Sequence, residues 1–397
     1  MAGHLKIGVV GVGQRGLQHV EALAQLQREE VVRLTALADP FPENLDFEKV
    51  SRFAPNFLEA GVERYTEADD LIENAEVDAI WFAMPPNQHS GEVVRAARRG
   101  IAVFVEKPQS LFLDEVIEMA DAIDAAGVPA TVGFQMRYDP WYTAIREYLS
   151  DKWTASVMMV NAGGIEGHGR KHTHTELRGG PDHRVWTGDR QWSGTSVVEA
   201  GIHQTDLFRY WTSDEIVWAE AAYTERPADL HATEGDNPIA YTVTYGLSGG
   251  GVANGVANLV LTRPAGVFHP EQYDYILSTH SMIKFEDDLV VYGDASSATG
   301  LGERRSDDAL RRVLAKGPHA DPMQFHNTRE LASSFVESVT RGQPELARSS
   351  FRSGLNSLCA VLAANASHEL GGERISLSEF GESDKYAKFR RPPPDKE

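Results

Sequence analysis

The first 134 residues alternate between short apolar runs and stretches with helical spacing of apolar positions. The apolar runs predict buried strands at 5–10, 31–38, 77–84, 101–105 and 128–134. Helical spacing begins at Leu17 and recurs over 90–99 and 113–126, where Gly100 and Gly127 supply the C-terminal caps. Strands that alternate with helices predict a parallel, doubly wound sheet, and right-handed crossovers bring the carboxyl ends of its strands to one edge.

After residue 134 the pattern changes. A helix at 141–149 and a strand at 156–161 precede a helix at 196–211, which we predict to be continuous in spite of Gly201. Strands without intervening helices follow at 216–224, 239–247, 251–261, 273–280, 281–285 and 289–292, and helices at 327–340 and 353–368. Such strands are joined by hairpins, so we expect a large, mostly antiparallel open sheet. The prediction is an α/β chain with one domain over 1–134 and an α+β domain over 135–397.

Composition excludes several partners. The 397 residues carry a formal net charge of -20, so we expect neither nucleic acid nor an anionic membrane surface as a partner. No apolar run approaches the ~18 residues of a membrane span, and we see no secretion signal at the N-terminus. The single cysteine, Cys359, lies in an apolar helical segment and is interpreted as a buried thiol. A cytoplasmic protein fits these features.

A glycine-rich turn connects the first strand to the first helix. Gly11, Gly13 and Gly16 form a GxGxxG motif, with Gln14 and Arg15 inside it. The first glycine makes the tight turn, the second lets the backbone approach a pyrophosphate, and the third lets helix and strand pack closely. Arg15 is either a pyrophosphate partner or a solvent-facing helix residue. A glycine-rich turn without a ligand is the alternative.

Asp39 ends the second strand, about 20 positions after the glycines. A carboxylate placed there hydrogen-bonds the ribose hydroxyls of a dinucleotide and repels a 2′-phosphate. We therefore expect NAD as the cofactor in preference to NADP. The alternative is a solvated turn aspartate before Pro40.

Lys107 lies at the carboxyl end of a buried strand, within Glu106-Lys107-Pro108. A desolvated ammonium is costly unless something uses it, and ligands of open α/β sheets bind outside the carboxyl ends of the strands. Lys107 should therefore share an edge with Gly11, Asp39 and Pro85. A lysine that merely extends to water is the competing interpretation.

The predicted helix at 196–211 carries a possible base. His203 stands four residues after Glu199, so the two should share a face, and Asp206 lies close to it. Neutral imidazole is a natural proton acceptor near pH 7. Glu199 or Asp206 could orient the His203 imidazole. If the ligand is an alcohol that gives up a hydride, Lys107 could polarise its oxygen or share its proton. The alternative is a core histidine satisfied by Glu199.

A mixed segment over 163–192 concentrates cations in an otherwise acidic chain. It suggests an anionic or polar sugar, with Trp186 or Trp192 available to stack on a ring. His168, His172 and His174 could form a metal site, but no acidic or cysteine partner lies at ligand spacing, so we predict no metal. A solvated loop without a ligand is the remaining alternative. The predicted substrate contacts are Arg137, Tyr138, His172, His174, Arg178, Trp192 and His203.

Several stretches together resemble the Gfo/Idh/MocA family of oxidoreductases, over essentially the whole chain. They are the GVGQRG turn, PPNQH, VEKP, VGFQMRYDPWY and the EAGIHQTD segment. The resemblance implies that Lys107 and His203 are catalytic, that Glu106 and Asn87 lie near the cofactor, and that the open sheet carries the contacts of a homodimer or homotetramer. The predicted cofactor-binding residues are Gly11, Gly13, Gln14, Arg15, Gly16, Asp39, Pro85, Asn87, His89, Glu106 and Lys107.

The chain departs from that family at Glu199, where aspartate is usual. A glutamate reaches one methylene further, so its hydrogen bond could go to substrate or to Lys107. We count Glu199 with Lys107 and His203 as the catalytic residues.

The expected function is NAD-dependent hydride transfer from a secondary hydroxyl of a sugar, sugar acid or cyclitol. The alternative is an NAD-dependent glycoside hydrolase that works by transient oxidation and elimination without net NADH. That route needs a second base, for which Tyr138, Glu199 or a loop histidine are candidates. A non-catalytic NAD-binding sensor is a third possibility.

Overall fold

The computed structural model describes residues 4–162, 190–224, 237–258, 274–293, 311–317, 319 and 325–392. The predictions made for His168, His172, His174, Arg178 and Trp186 lie outside these residues.

The first sheet has six parallel strands within the described part of the chain, in the order β3-β2-β1-β4-β5-β6. They are β1 Leu5–Val10, β2 Val32–Ala38, β3 Glu63–Tyr65, β4 Ala79–Phe82, β5 Ala102–Val105 and β6 Ala130–Val132. The predicted parallel, doubly wound sheet is confirmed. The sequence analysis did not predict β3, because its three residues do not form an apolar run and two of them are exposed.

Helices cover both faces of this sheet. They are α1 Gln14–Arg28, α2 Phe47–Phe53, α3 Ala68–Asn74, α4 Glu92–Arg98 and α5 Leu113–Ala126, with a short 3₁₀ turn at Pro86–Gln88. Because both faces are covered, β4 and β5 are buried at every position, which explains their continuous apolar sequence.

The second sheet has nine strands among the described residues, in the order β14-β13-β12-β11-β7-β10-β9-β8-β15. They are β7 Thr154–Ala162, β8 Ile216–Thr224, β9 Ala240–Leu247, β10 Val252–Asn258, β11 Tyr275–Ser278, β12 Ser281–Phe285, β13 Leu289–Tyr292, β14 Arg311–Ala315 and β15 Ile375–Ser376. Only the pairing of β7 with β10 is parallel in this described sheet, so the mostly antiparallel prediction is confirmed.

The remaining helices flank the second sheet or return to the first. They are α6 Pro140–Leu149, α7 Arg190–Ser193, α8 Ser196–Glu199, α9 Gly201–Thr212, α10 Phe325–Arg341, α11 Phe351–Glu369, α12 Leu377–Glu382 and α13 Ala387–Arg390. Helix α10 returns to the first sheet, where Phe335 packs edge-on against Trp81 at 5.3 Å between ring centroids. The C-terminal part of the chain therefore contributes to the core around β4 and β5.

The helix predicted over 196–211 is interrupted. Helix α8 ends at Glu199, Ala200 forms a turn, and α9 begins at Gly201. A Cβ at position 201 would lie 2.9 Å from the Tyr241 hydroxyl oxygen, which explains the glycine. At the break the His203 amide donates to the Ala200 carbonyl at 3.2 Å, so Glu199 and His203 belong to different helices and do not share one regular helical ladder.

Candidate active site

The glycine turn has the geometry that a bound dinucleotide requires. Gly11 has a φ of 86°, and a Cβ there would lie 2.5 Å from the Ala83 carbonyl oxygen. A Cβ on Gly16 would lie 1.8 Å from the Gly11 oxygen, so only glycine lets α1 pack this closely. Over Gly13, in contrast, no described atom lies within 4 Å of a Cβ position. The open space at the N-terminus of α1 fits a pyrophosphate.

Asp39 is buried beside this turn and holds it in place. One carboxylate oxygen accepts a hydrogen bond from the Val12 amide at 2.7 Å, and the other accepts from Phe41 N and Asn44 Nδ2, each at 3.0 Å. The alternative of a solvated turn aspartate is wrong, because Asp39 is 4% exposed. The predicted contact of Asp39 with a ribose stays a prediction.

A buried carboxylate network holds the strand end before Lys107. Glu106 Oε1 accepts from Arg15 Nε and from His19 Nε2, each at 2.7 Å, and Oε2 accepts from the Lys107 amide at 3.0 Å. Burial alone would raise the pKa of Glu106, but the Arg15 charge and the His19 hydrogen bond outweigh it and hold that pKa well below its usual range. Glu106 is therefore an ionised carboxylate inside the protein.

Arg15 connects this network to the second half of the chain. Its Nη1 also donates to Thr328 Oγ1 at 2.8 Å, on α10. The prediction that Arg15 faces solvent as an ordinary helix residue is thus wrong, since its guanidinium is committed to Glu106. Its contact with a pyrophosphate stays a prediction.

Lys107 and Glu199 form an ion pair across 92 positions of sequence. Lys107 Nζ donates to the Glu199 backbone oxygen at 3.0 Å and to Oε1 at 3.2 Å. The lysine side chain is 13% exposed, so the interpretation that it merely extends to water is wrong. The sequence analysis considered substrate or Lys107 as the hydrogen-bond partner of Glu199, and in the structure Glu199 contacts Lys107.

His203 is buried near the same cations. Burial lowers its pKa well below the usual 6.5, the Lys107 charge lowers it further, and Glu106 opposes the shift. Among the described residues neither ring nitrogen has a hydrogen-bond partner. The alternative of a core histidine satisfied by Glu199 is therefore wrong, and so is the idea that Glu199 or Asp206 orients the ring. A neutral imidazole with two unused nitrogens is able to accept a proton.

Asp206 and Arg137 pair with each other. The Arg137 Nε and Nη2 atoms donate to the two Asp206 oxygens at 2.7 and 2.6 Å, and Arg137 also donates to the Arg348 carbonyl. Arg137 is 7% exposed. These bonds commit Arg137 to contacts within the protein, and its predicted contact with substrate stays a prediction.

Tyr138 is also turned into the protein. Its hydroxyl donates to Ser334 Oγ at 3.0 Å and accepts from the Arg348 amide at 3.1 Å. Burial raises the pKa of Tyr138. The Tyr138 hydroxyl is thus engaged within the protein, and its predicted substrate contact and suggested role as a second base stay predictions.

Two residues that follow β4, Asn87 and His89, lie in different environments. Asn87 is 8% exposed and lines a cavity of about 920 Å³ together with Trp192. His89, in contrast, pairs through Nδ1 with Glu92. Burial of Glu92 is outweighed by its contact with His89, which lowers the Glu92 pKa to about 2. The cofactor contacts predicted for Gln14, Pro85, Asn87 and His89 stay predictions.

Three residues near the site were not singled out from the sequence. His19 lies three residues after Gly16 and is buried between the apolar residues Leu17 and Val20 of α1, a signal for a buried polar partner. A Cβ on Gly133 would lie 2.7 Å from the Glu106 carboxyl carbon, so the glycine makes room for the network. The Tyr241 hydroxyl has no hydrogen-bond partner among the described residues, and Glu199 is close enough to raise its pKa beyond the effect of burial.

The described residues hold no cluster of three or more histidine, cysteine or acidic side chains that could bind a metal. Cys359 is partly buried, and burial raises the pKa of its thiol to about 12, so the thiol is a poor nucleophile. In the described ranges no helix is both long and apolar enough to cross a bilayer.

The comparisons with known proteins agree with this geometry. Residues 5–134 match the model of the Gfo/Idh/MocA oxidoreductase family, which is described as having an NAD-binding Rossmann fold. The resemblance and the choice of NAD as cofactor are thereby confirmed, and the first domain is an NAD-binding Rossmann domain.

The curated relatives match part of the chain at about a quarter identity. The rhizopine catabolism protein MocA of Rhizobium meliloti is 26% identical over 66% of this chain and 73% of its own length. A scyllo-inositol 2-dehydrogenase (NAD(+)) of Bacillus subtilis is 26% identical over 54% of this chain. The match spans 56% of that enzyme, little more than half its length.

Solved structures share the whole fold. An Agrobacterium radiobacter oxidoreductase in complex with NAD+, L-tartaric acid and magnesium covers 95% of this chain and 99% of its own, with a TM-score of 0.73 and 14% identity. A scyllo-inositol dehydrogenase from Lactobacillus casei with bound NAD(H) and scyllo-inositol covers 94% and 99%, with a TM-score of 0.66 and 18% identity. At these identities the likeness concerns the fold.

Proposed function

We propose that this chain, whose first domain is an NAD-binding Rossmann domain, is an oxidoreductase that removes a hydride from a secondary hydroxyl of a sugar, sugar acid or cyclitol. The observation that supports it is the pairing of Lys107 with Glu199 at the carboxyl end of β5, close to a buried imidazole whose pKa is lowered. A cation that polarises an alcohol oxygen and a neutral base that takes its proton are what alcohol oxidation needs.

Each chain residue then has one task. When bound, NAD+ supplies the hydride acceptor. Lys107 donates a hydrogen bond to the substrate oxygen, and His203 accepts the hydroxyl proton. Glu199 holds the ammonium through two contacts, and Glu106 holds the Lys107 backbone. The buried Tyr241 hydroxyl, which has no hydrogen-bond partner among the described residues, would be available to a further hydroxyl of a polyol.

The relatives support a polyol as the substrate class. Two of them carry inositol names. The glycoside hydrolase alternative needs a second base. Tyr138 is unsuited to that task because its hydroxyl is bonded inside the protein, and Glu199 is engaged with Lys107.

We also propose a homodimer or homotetramer in a reducing, cytoplasmic setting. The second sheet carries exposed apolar side chains on two of its strands, Val217 at 42% and Leu277 at 37% exposure, which suits a contact between subunits. The partly buried Cys359 fits a compartment without disulfides.

The experiment is a substrate panel with a matched pair of variants. Purified protein is incubated with NAD+ and with myo-inositol, scyllo-inositol, free sugars, sugar acids and aryl glycosides, and both NADH absorbance and released aglycone are followed. Net NADH supports the dehydrogenase, and aglycone without NADH supports the hydrolase. Tight NAD binding with neither product would support the sensor.

Lys107→Met is expected to lower kcat by at least about 100-fold while NAD+ still binds, because the variant removes only the ammonium. Lys6→Met is the control, since Lys6 pairs with Glu76 on the protein surface. Full activity of Lys107→Met would contradict the proposal.

A further inference from the structure

A cavity of about 920 Å³ lies where the C-terminal residues 387–392 meet α7, β8 and α11. Its volume falls within the range of small-molecule sites. The described residues that line it do not include Lys107, Glu199 or His203. The proposed reaction therefore assigns no occupant to this cavity.

The interior of the cavity is apolar. Leu111, Val198 and Leu362 line it, and each of them is at most 8% exposed. Half-buried aromatic side chains continue the wall toward solvent. They are Phe112, Trp192, Tyr223 and Phe389. Aromatic and aliphatic surfaces of this kind favour a ligand with a flat, apolar ring.

Most polar side chains of the wall are engaged with one another. Asn365 Oδ1 accepts hydrogen bonds from both Thr195 Oγ1 and Tyr223 Oη, each at 2.7 Å. His368 lies beside them, where its Nδ1 accepts from the Tyr223 amide at 3.3 Å and its ring stacks on the Tyr223 ring. A neutral His368 therefore carries its proton on Nε2. No described residue accepts from that N–H, so it is available to an acceptor in the cavity.

Cations outnumber carboxylates where the cavity opens to solvent. Among the described lining residues Arg190, Lys388 and Arg391 stand against Glu369 alone. The three cationic side chains are exposed, by 65% in Lys388 and 56% in Arg391, which places them at the mouth. The whole chain has 58 acidic and 38 basic residues, so this local excess of positive charge is opposite to its composition.

The ion pairs at the mouth do not remove this excess. Lys388 Nζ lies 3.2 Å from Glu369 Oε2, and Arg391 Nε lies 2.8 Å from Asp114 Oδ2. Asp114 also lies 3.5 Å from Arg390, so it serves two cations. Pairs between exposed side chains are weak, because water and salt screen them. A ligand carboxylate can therefore join these cations.

We propose that this cavity binds an aromatic carboxylate, with its ring against the aromatic wall and its carboxylate at the cationic mouth. An uncharged ring would leave the cations at the mouth unused, and a small inorganic anion would leave the apolar interior uncovered. The inference does not rest on the proposed function, because binding at this second site requires no hydride transfer. Its failure would therefore leave the dehydrogenase proposal unaffected, and the reverse also holds.

The test compares cinnamate with cinnamamide, which share one ring and nearly one size but differ in charge. Binding of each to the full chain is measured by calorimetry with saturating NAD+, so that the Rossmann domain is occupied. Cinnamate is expected to bind about tenfold more tightly at low ionic strength. This preference should shrink severalfold in about 1 M NaCl, where exposed charges are screened beyond about 3 Å. Equal affinities, or no binding of cinnamate, would overturn the proposal.

A matched pair of lysine variants locates the carboxylate. Lys388→Gln removes one cation of the mouth and should lower the affinity for cinnamate about threefold, with no change for cinnamamide. Lys385→Gln is the control, because Lys385 pairs with Glu373 at the exposed surface and does not line the cavity. It should leave both affinities unchanged. An equal loss in the two variants would show that only the long-range charge matters and would overturn the site.

A second pair of variants locates the ring. Ala387→Trp fills the cavity from the half-buried α13 and should abolish binding of both compounds. Glu382→Trp places the same side chain at an exposed position of α12 outside the lining and should preserve binding. Circular dichroism checks the fold of both, and the lysine pair decides the matter if Ala387→Trp does not fold. Cinnamate binding that persists in a folded Ala387→Trp would place the ligand elsewhere and overturn the proposal.

Discussion

Lys107 Nζ contacts Glu199 twice, at the backbone oxygen and at Oε1, although 92 positions separate the two residues. The pair joins the end of β5 to the end of α8. It thereby connects the cofactor domain to the segment that carries His203.

Glu199→Gln should lower kcat about tenfold with little change in the Kd for NAD+. The variant keeps an acceptor for Lys107 but loses the charge, and charge-assisted hydrogen bonds are roughly twice as strong as neutral ones. Steady-state NADH formation and NAD+ calorimetry measure the two quantities. Glu220→Gln, at the exposed Arg374–Glu220 pair, is the control and should leave kcat unchanged. An unaltered kcat in Glu199→Gln would show that the ion pair is only structural.

Gly13→Ala should weaken NAD+ binding at least tenfold while the free energy of unfolding changes by no more than about 1 kcal/mol. The new methyl group meets no described atom, but it occupies space above the turn that a pyrophosphate needs. Denaturant unfolding and NAD+ calorimetry give the two values. Gly16→Ala is the contrasting variant, because its methyl group would overlap the Gly11 oxygen and should disrupt folding. Unchanged NAD+ affinity in Gly13→Ala would argue against cofactor binding at this turn.

His19→Ala should destabilise the protein by about 1–3 kcal/mol, because it removes a hydrogen bond from the buried, ionised Glu106. As a positioning residue, His19 should also affect kcat more than the KM for NAD+. His19→Gln retains a donor and should recover part of kcat, whereas a purely structural role would restore stability without restoring kcat. Urea unfolding and steady-state kinetics on both variants decide between these outcomes.

The acid limb of kcat/KM for polyol oxidation should lie below pH 6.5. Burial lowers the pKa of His203 from 6.5, so the imidazole stays neutral as pH falls through 6.5 and is lost as a base only below that value. A profile of kcat/KM between pH 5 and pH 9 measures the limb. His203→Ala should abolish activity over the whole range. A limb at or above pH 6.5 would mean that another group, or a different state of His203, accepts the proton.

The pH dependence of stability has the same sign. The unfolded chain binds a proton to His203 near pH 6.5, whereas the folded chain resists it, so stability is lost as pH falls below 6.5. His19, whose pKa burial also lowers, acts in the same direction.

Most of the first domain was predictable because its signals are local. Apolar runs identified five of the six strands in the described sheet, and the glycine spacing identified the turn before α1. The position of Lys107 at the end of a strand was also predictable, because the apolar run before it indicates a buried strand and a desolvated ammonium there is costly unless it has a partner. These features depend on residues within one strand, one turn or one helix.

Only the tertiary structure determined the partners. Asp206 forms an ion pair with Arg137, and Glu199 at the end of α8 forms one with Lys107, whereas neither carboxylate is hydrogen-bonded to His203. His19 and Gly133 became important only when folding brought them to Glu106. The periodicity of apolar residues predicts which face of a helix or strand is buried. It does not predict which other buried face that one contacts, because this depends on how the whole chain packs, and the ion pairs depend on those contacts.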